Sequence, residues 1–114
     1  MPRLLQLGQT APFAVKEASQ RIGQRLTLAR KRRRLTLRQL ASKAGISYDT
    51  MRAVEAGNLQ TGLGAYLAAL WAMGLESEMQ AFADPERDAE GRQLELARLP
   101  KRVRHARERS DEQF

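Results

Sequence analysis

Between residues 18 and 83 the apolar positions recur every three or four residues, the spacing that lines one face of an α-helix. Ile22, Leu26 and Ala29 fall at i, i+4 and i+7 and predict a first helix from about Ala18 or Ser19 to Arg33. Leu37, Leu40, Ala41 and Ala44 mark the buried face of a second, short helix. Met51 and Val54 make the stripe of a third. Leu63, Tyr66, Leu67, Leu70 and Met73 form the inner face of a fourth, over about Gly62 to Met73, with a weak start because Gly62 and Gly64 are poor helix formers. Glu76 to Ala83 makes a fifth, with Met79 and Phe82 on one side. Leu and Ala dominate the apolar set and β-branched residues are few, so the chain is expected to be all-α.

Local signals punctuate these helices. Thr36 can accept from an orphan backbone N–H, and Gln39 three residues on completes a capping box. Gly45 closes the second helix in the left-handed conformation, Ile46 plugs the corner and Ser47 caps the third. Gly57 stops that helix, and Asn58 extends the turn into a polar link to Thr61. Gly74 ends the fourth. Asp84-Pro85 restarts the chain as cap and first helical residue. Gly91 interrupts, and Gln93 to Leu99 makes one more short helix before Pro100. Residues 1–17 form an N-terminal arm, since Pro2 and Pro12 break any long helix there. Its Leu4, Leu5, Leu7 and Phe13 can cover the domain's own core or a second subunit. The expected divisions are thus an arm at 1–17, a helical domain at 18–83 and an extension with a tail at 84–114.

Composition narrows the chemistry. At 114 residues there is room for one domain plus tails. With no cysteine and one histidine, His105, neither a disulfide framework nor a metal site is expected. No glycine-rich phosphate loop follows a strand, and no catalytic cluster is present, so an enzyme is not expected, nor a cofactor. The apolar run from Leu63 to Leu75 is too short to span a bilayer, and the N-terminus lacks a signal-peptide core, so the expected location is cytoplasmic.

Charge adds the strongest hint of a partner. The net charge is +7, unevenly spread. Residues 16–43 carry Lys16, Arg21, Arg25, Arg30, Lys31, Arg32, Arg33, Arg34, Arg38 and Lys43 against Glu17 alone. Residues 76–95 carry seven acids against Arg87 and Arg92. Such a split suits one face for a polyanion and another for something else. The run Lys31 to Arg34 also complements the C-terminal end of the first helix. The tail from Lys101 is basic, then acidic, with little to bury. It can lie on DNA as a basic arm or serve only as a solubilising end.

The pattern Leu35-Thr36, Leu40-Ala41, Ala44-Gly45-Ile46-Ser47 and Val54-Glu55 with Gly57 resembles the helix-turn-helix of the phage Cro/repressor family, often called XRE. With its flanking helices the resemblance covers about residues 20–74. It implies a five-helix Cro/repressor-like domain, with the N-terminal arm and a short helical C-terminal extension plus basic tail outside it. It implies binding to double-stranded DNA, with the third helix in the major groove and the second across the backbone. Carried over by position, base-reading residues are Ser47, Tyr48, Asp49, Thr50, Arg52 and Ala53. Arg52 is the foremost, because a guanidinium can pair bidentately with guanine. Asp49 can accept from cytosine, or hold Arg52 or Arg38 in place. Phosphate contacts fall on Arg32, Arg34, Arg38, Gln39 and Lys43. Arg30 matches an arginine that pairs with the glutamate at Glu55, a structural role. Two departures weaken direct readout: Leu37 stands where many relatives carry a phosphate-binding Gln, and Ala53 offers only a methyl. More weight should then fall on phosphate contacts and DNA shape.

Specific affinity in that fold comes from a dimer on two half-sites. A homodimer on an inverted repeat is expected, through Trp71, Leu75, Met79 and Phe82. Trp71 lies off the main stripe, either as a satellite of the core or as an interface anchor. Leu70-Trp71-Ala72-Met73-Gly74-Leu75, Ala83-Asp84-Pro85 and the basic tail further resemble HipB-like antitoxin-regulators. Those partner a HipA-like kinase toxin and repress their own operon, at the nucleoid. A stand-alone repressor, and an adaptor that keeps the fold but has lost sequence-specific DNA binding, are the competing functions.

Overall fold

The computed structural model describes residues 10–100. The arm residues Leu4, Leu5 and Leu7, and the basic tail with His105, lie outside the described residues. Six α-helices lie wholly within them, and no strand does: α1 (Phe13–Arg32), α2 (Leu37–Ala44), α3 (Tyr48–Glu55), α4 (Leu63–Ala72), α5 (Glu76–Gln80) and α6 (Ala89–Ala97). A 3-10 turn, Pro85–Arg87, precedes α6. The chain divides into one compact unit up to Gln80 and a second from Ala81. No helix among the described residues is long and apolar enough to cross a membrane.

The first unit is built on α2 and α3. Thr36 accepts from the Gln39 N–H at 3.1 Å while the Gln39 side chain accepts from the Thr36 N–H at 2.8 Å, a reciprocal cap on α2. Gly45, at φ 73°, turns the chain out of α2 in the left-handed region. Ser47 then caps α3 by accepting from the Thr50 N–H at 3.0 Å. The apolar faces of the two helices meet: Leu40, Met51 and Val54 are fully buried, and Leu26, Ala41, Ala69 and Met73 complete the core. Full burial of a side chain of this size stabilises by roughly 1.5–3 kcal/mol. Leu35, Leu37, Ile46, Tyr66, Leu70 and Leu75 pack around that core, half-buried. The Tyr66 hydroxyl donates to the Asn58 carbonyl at 3.0 Å, tying α4 to the link before it. Burial pushes that phenol's pKa up.

Several boundaries differ from those the apolar spacing predicts. α1 begins at Phe13, well before Ala18. Pro12 opens the helix rather than breaking it, because its carbonyl accepts from the Val15 and Lys16 N–H groups at 3.0 and 3.2 Å. Ile22 is not a core residue; it is 43% exposed, and its neighbour Gly23 is buried instead. Gly23 is where α1 crosses the end of α3: a Cβ there would sit 2.5 Å from the Glu55 carbonyl oxygen. The Ser19 hydroxyl donates to the Gly57 carbonyl at the same crossing. Close backbone approach, not an apolar side chain, sets this contact. Leu63 is likewise exposed, and Ala69 takes the deep position on α4. That helix is apolar on nearly every side, so its sequence does not single out one stripe.

In the second unit Asp84 accepts from the Glu86 N–H at 3.0 Å, with Pro85 opening the 3-10 turn. The preceding helix stops at Gln80 rather than Ala83, which takes a left-handed φ of 49° that no α-helix continues through. Gly91 does not interrupt. It lies in the first turn of α6, where Asp88 accepts from its N–H at 2.9 Å.

Candidate functional site

The run from Arg30 to Arg34 contains two kinds of cation. Arg30 is held inside: its Nε lies 2.8 Å from Glu55 Oε2, and its two terminal nitrogens donate to Glu55 Oε1 at 3.1 Å and the Leu35 carbonyl at 2.9 Å. The Thr27 hydroxyl donates to Glu55 Oε1 at 2.8 Å. The side chains of Arg30 and Glu55 are only 12% and 8% exposed, so this bidentate pair links α1 to the end of α3 out of water. Arg33 is also engaged. It donates to the Met73 carbonyl at 3.1 Å and the Ala29 carbonyl at 2.9 Å, bracing the ends of α4 and α1. Nothing in a run of five consecutive cations marks Arg33 apart. Lys31, Arg32 and Arg34 are exposed. No side-chain hydrogen bond or ion pair holds Arg32 or Arg34 among the described residues.

The exposed side of α3 brings together residues from both short helices. Tyr48 opens α3 and is 37% exposed. The Arg38 guanidinium, from α2, lies 4.3 Å from its ring centroid, and that of Arg52, one turn along α3, lies 6.0 Å away. A cation over a tyrosine ring at such a site gains about 0.5–1 kcal/mol. Tyr48 thus holds the two guanidiniums at one place on the surface. Asp49 does not: the ion pairs among the described residues are Arg30–Glu55 and, in the second unit, Arg92–Glu86. Asp49 sits in the first turn of α3, where a negative charge suits the helix dipole. No sequence signal pairs Arg38 with Tyr48, because the contact crosses a turn.

The remaining residues are arranged as follows. Ser47 and Thr50 bond each other, the Ser47 hydroxyl donating to Thr50 Oγ1 at 2.8 Å. Gln39 keeps its amide N–H groups while its carbonyl serves the α2 cap. Lys43 is exposed in the last turn of α2. Ala53 is half-buried beside an open groove of about 490 Å³, walled by Asp49, Thr50 and Ala53 on one side and by Thr61, Gly62, Gly64 and Ala65 on the other. Trp71 is 56% exposed, which excludes it from the core of its own unit, while Leu75 and Met79 are half-buried. Phe82 belongs to the second unit and is 61% exposed.

Compared with family models, curated proteins and solved structures, the chain matches none of them.

Proposed function

We propose that this chain is a sequence-specific, double-stranded DNA-binding regulator of the Cro/repressor helix-turn-helix class. The observation that carries the reading is the guanidinium pair of Arg38 and Arg52 gathered on Tyr48, on the exposed side of a capped α3. In the proposed complex α3 enters the major groove and α2 crosses the phosphate backbone. Arg52 reads a base, with Tyr48 fixing its approach and Asp49 beside it. Arg32, Arg34, Arg38, Gln39 and Lys43 serve the backbone, positioning the protein without reading sequence. Ser47 and Thr50 hold the start of α3 in shape and touch DNA only at the groove edge. The protein acts as a homodimer on an inverted repeat, and represses its own operon as the antitoxin of a HipA-like kinase.

Two features favour the adaptor function instead. Leu37 and Ala53 remove two polar groups from the surface, and the Ser47–Thr50 bond engages two more. Arg52 separates the alternatives. Arg52→Ala should lower affinity for a preferred duplex by roughly 10- to 100-fold, the worth of a good bidentate base contact. It should also flatten discrimination at one base pair per half-site, as seen when a panel of singly substituted duplexes is titrated. An unchanged panel profile would remove Arg52 from base reading and favour the adaptor.

A further inference from the structure

α6 is a helix with little to hold it. It has nine residues, none of them buried, and Gly91 alone is half-covered. A helix that short is marginal in water unless it packs on something. It packs against the 3-10 turn before it. Arg92 marks that side, donating to the Glu86 carbonyl at 3.2 Å and lying 3.6 Å from the Glu86 carboxylate. Leu96 follows Arg92 by one turn and shares its side. The other side carries Glu90, Leu94 and Arg98, in a row at four-residue intervals. Each stands two positions from Arg92 or Leu96, which sets it about 200° around the helix axis. All three are exposed, and neither Glu90 nor Arg98 has an ion pair among the described residues.

This row is acid, leucine, base, and it is symmetric about Leu94. Turned end for end it matches itself: Glu90 meets Arg98 of the partner subunit, Arg98 meets Glu90 of the partner subunit, and the two leucines meet at the centre. Laid in the same direction, acid would face acid and base would face base. The polarity runs on along the chain, where Asp84, Glu86 and Asp88, against Arg87, precede the row, and Lys101 and Arg102 follow it. Resting on the homodimer reading above, we propose that α6 of one copy pairs antiparallel with α6 of the second through Glu90, Leu94 and Arg98. Such a pair is related by a twofold axis, and the axis of the homodimer can serve it. So short a helix pair falls below the roughly 1,000 Å² that a lasting interface buries, so it does not hold two copies together unaided. Between copies already joined at Trp71 it needs no separate encounter, and it tightens the dimer. It also supplies the cover that α6 lacks.

The chain has no cysteine, so a single introduced thiol reports the pairing. Leu94 and Leu96 are matched in exposure, at 57% and 56%, and differ in side. In the full chain under mild oxidation, Leu94→Cys should link two copies roughly tenfold faster than Leu96→Cys, since a disulfide needs Cα atoms within about 7 Å. Charge should act in the same sense in sedimentation equilibrium. Glu90→Arg or Arg98→Glu alone should weaken dimerisation roughly tenfold, by turning two attractions into two repulsions. The two together should restore it. Equal linking rates at 94 and 96, in a chain that sediments as a dimer, would overturn the pairing and leave the homodimer standing. So would single reversals that leave the dimer constant unchanged, or a double variant no better than the singles. A wild-type chain that sediments as a monomer at every concentration would sink both.

Discussion

Arg30→Ala should cost about 3–5 kcal/mol of stability, because it leaves Glu55 buried with its charge uncompensated. A loss of that size is a large fraction of the roughly 5–15 kcal/mol that holds a typical domain together. The carboxylate would keep only the Thr27 hydroxyl as a side-chain partner, and the Leu35 carbonyl would lose its donor. Thermal and urea unfolding followed by circular dichroism would show the loss directly. Replacing both partners with apolar residues, Arg30→Met with Glu55→Leu, should recover most of it, since no buried charge is then stranded. The geometry assigns Arg30 to the fold rather than to the proposed DNA surface. A normal melting temperature in Arg30→Ala, together with lost DNA binding, would reverse that assignment.

Trp71→Glu should do the opposite: leave the fold intact and abolish assembly. Trp71 is more than half exposed on the helix that carries the buried Ala69, so removing its ring leaves no cavity in the core. As the anchor of the proposed homodimer, an indole exchanged for a carboxylate would place charge where apolar surface must be buried. Light scattering should then report a monomer that still unfolds cooperatively, its melting temperature lowered only by the loss of association. Affinity for an inverted repeat should fall by about 100-fold or more, since the two half-sites are no longer bound as one unit. A dimer that survives Trp71→Glu would place the interface elsewhere on the molecule.

What the sequence displayed of this fold, and what it concealed, follows from the range of the forces involved. The caps at Thr36 and Ser47 and the left-handed turns at Gly45, Gly57 and Gly74 are local, set within a few residues, and the chain spells them out. The burial of Leu40, Met51 and Val54 follows from helical spacing alone. The substitution of Gly23 for Ile22, and of Ala69 for Leu63, as deep positions depends on how closely two helices cross, which no single helix records. At the site, Arg38 and Tyr48 meet across a turn, and Arg33 separates from its neighbours only once the end of α4 lies beside it. The resemblance puts Arg34 among the phosphate contacts, but nothing in the run tells of its left-handed backbone.

The measurement that bears most directly on the proposed function is binding of the intact protein to the DNA upstream of its own reading frame, beside a scrambled duplex and across a range of salt. A DNA-binding autoregulator should prefer its own upstream sequence by about 10³-fold or more, with affinity falling steeply as salt rises. Equal binding to both duplexes would contradict it, and would reduce the basic surface to non-specific attraction.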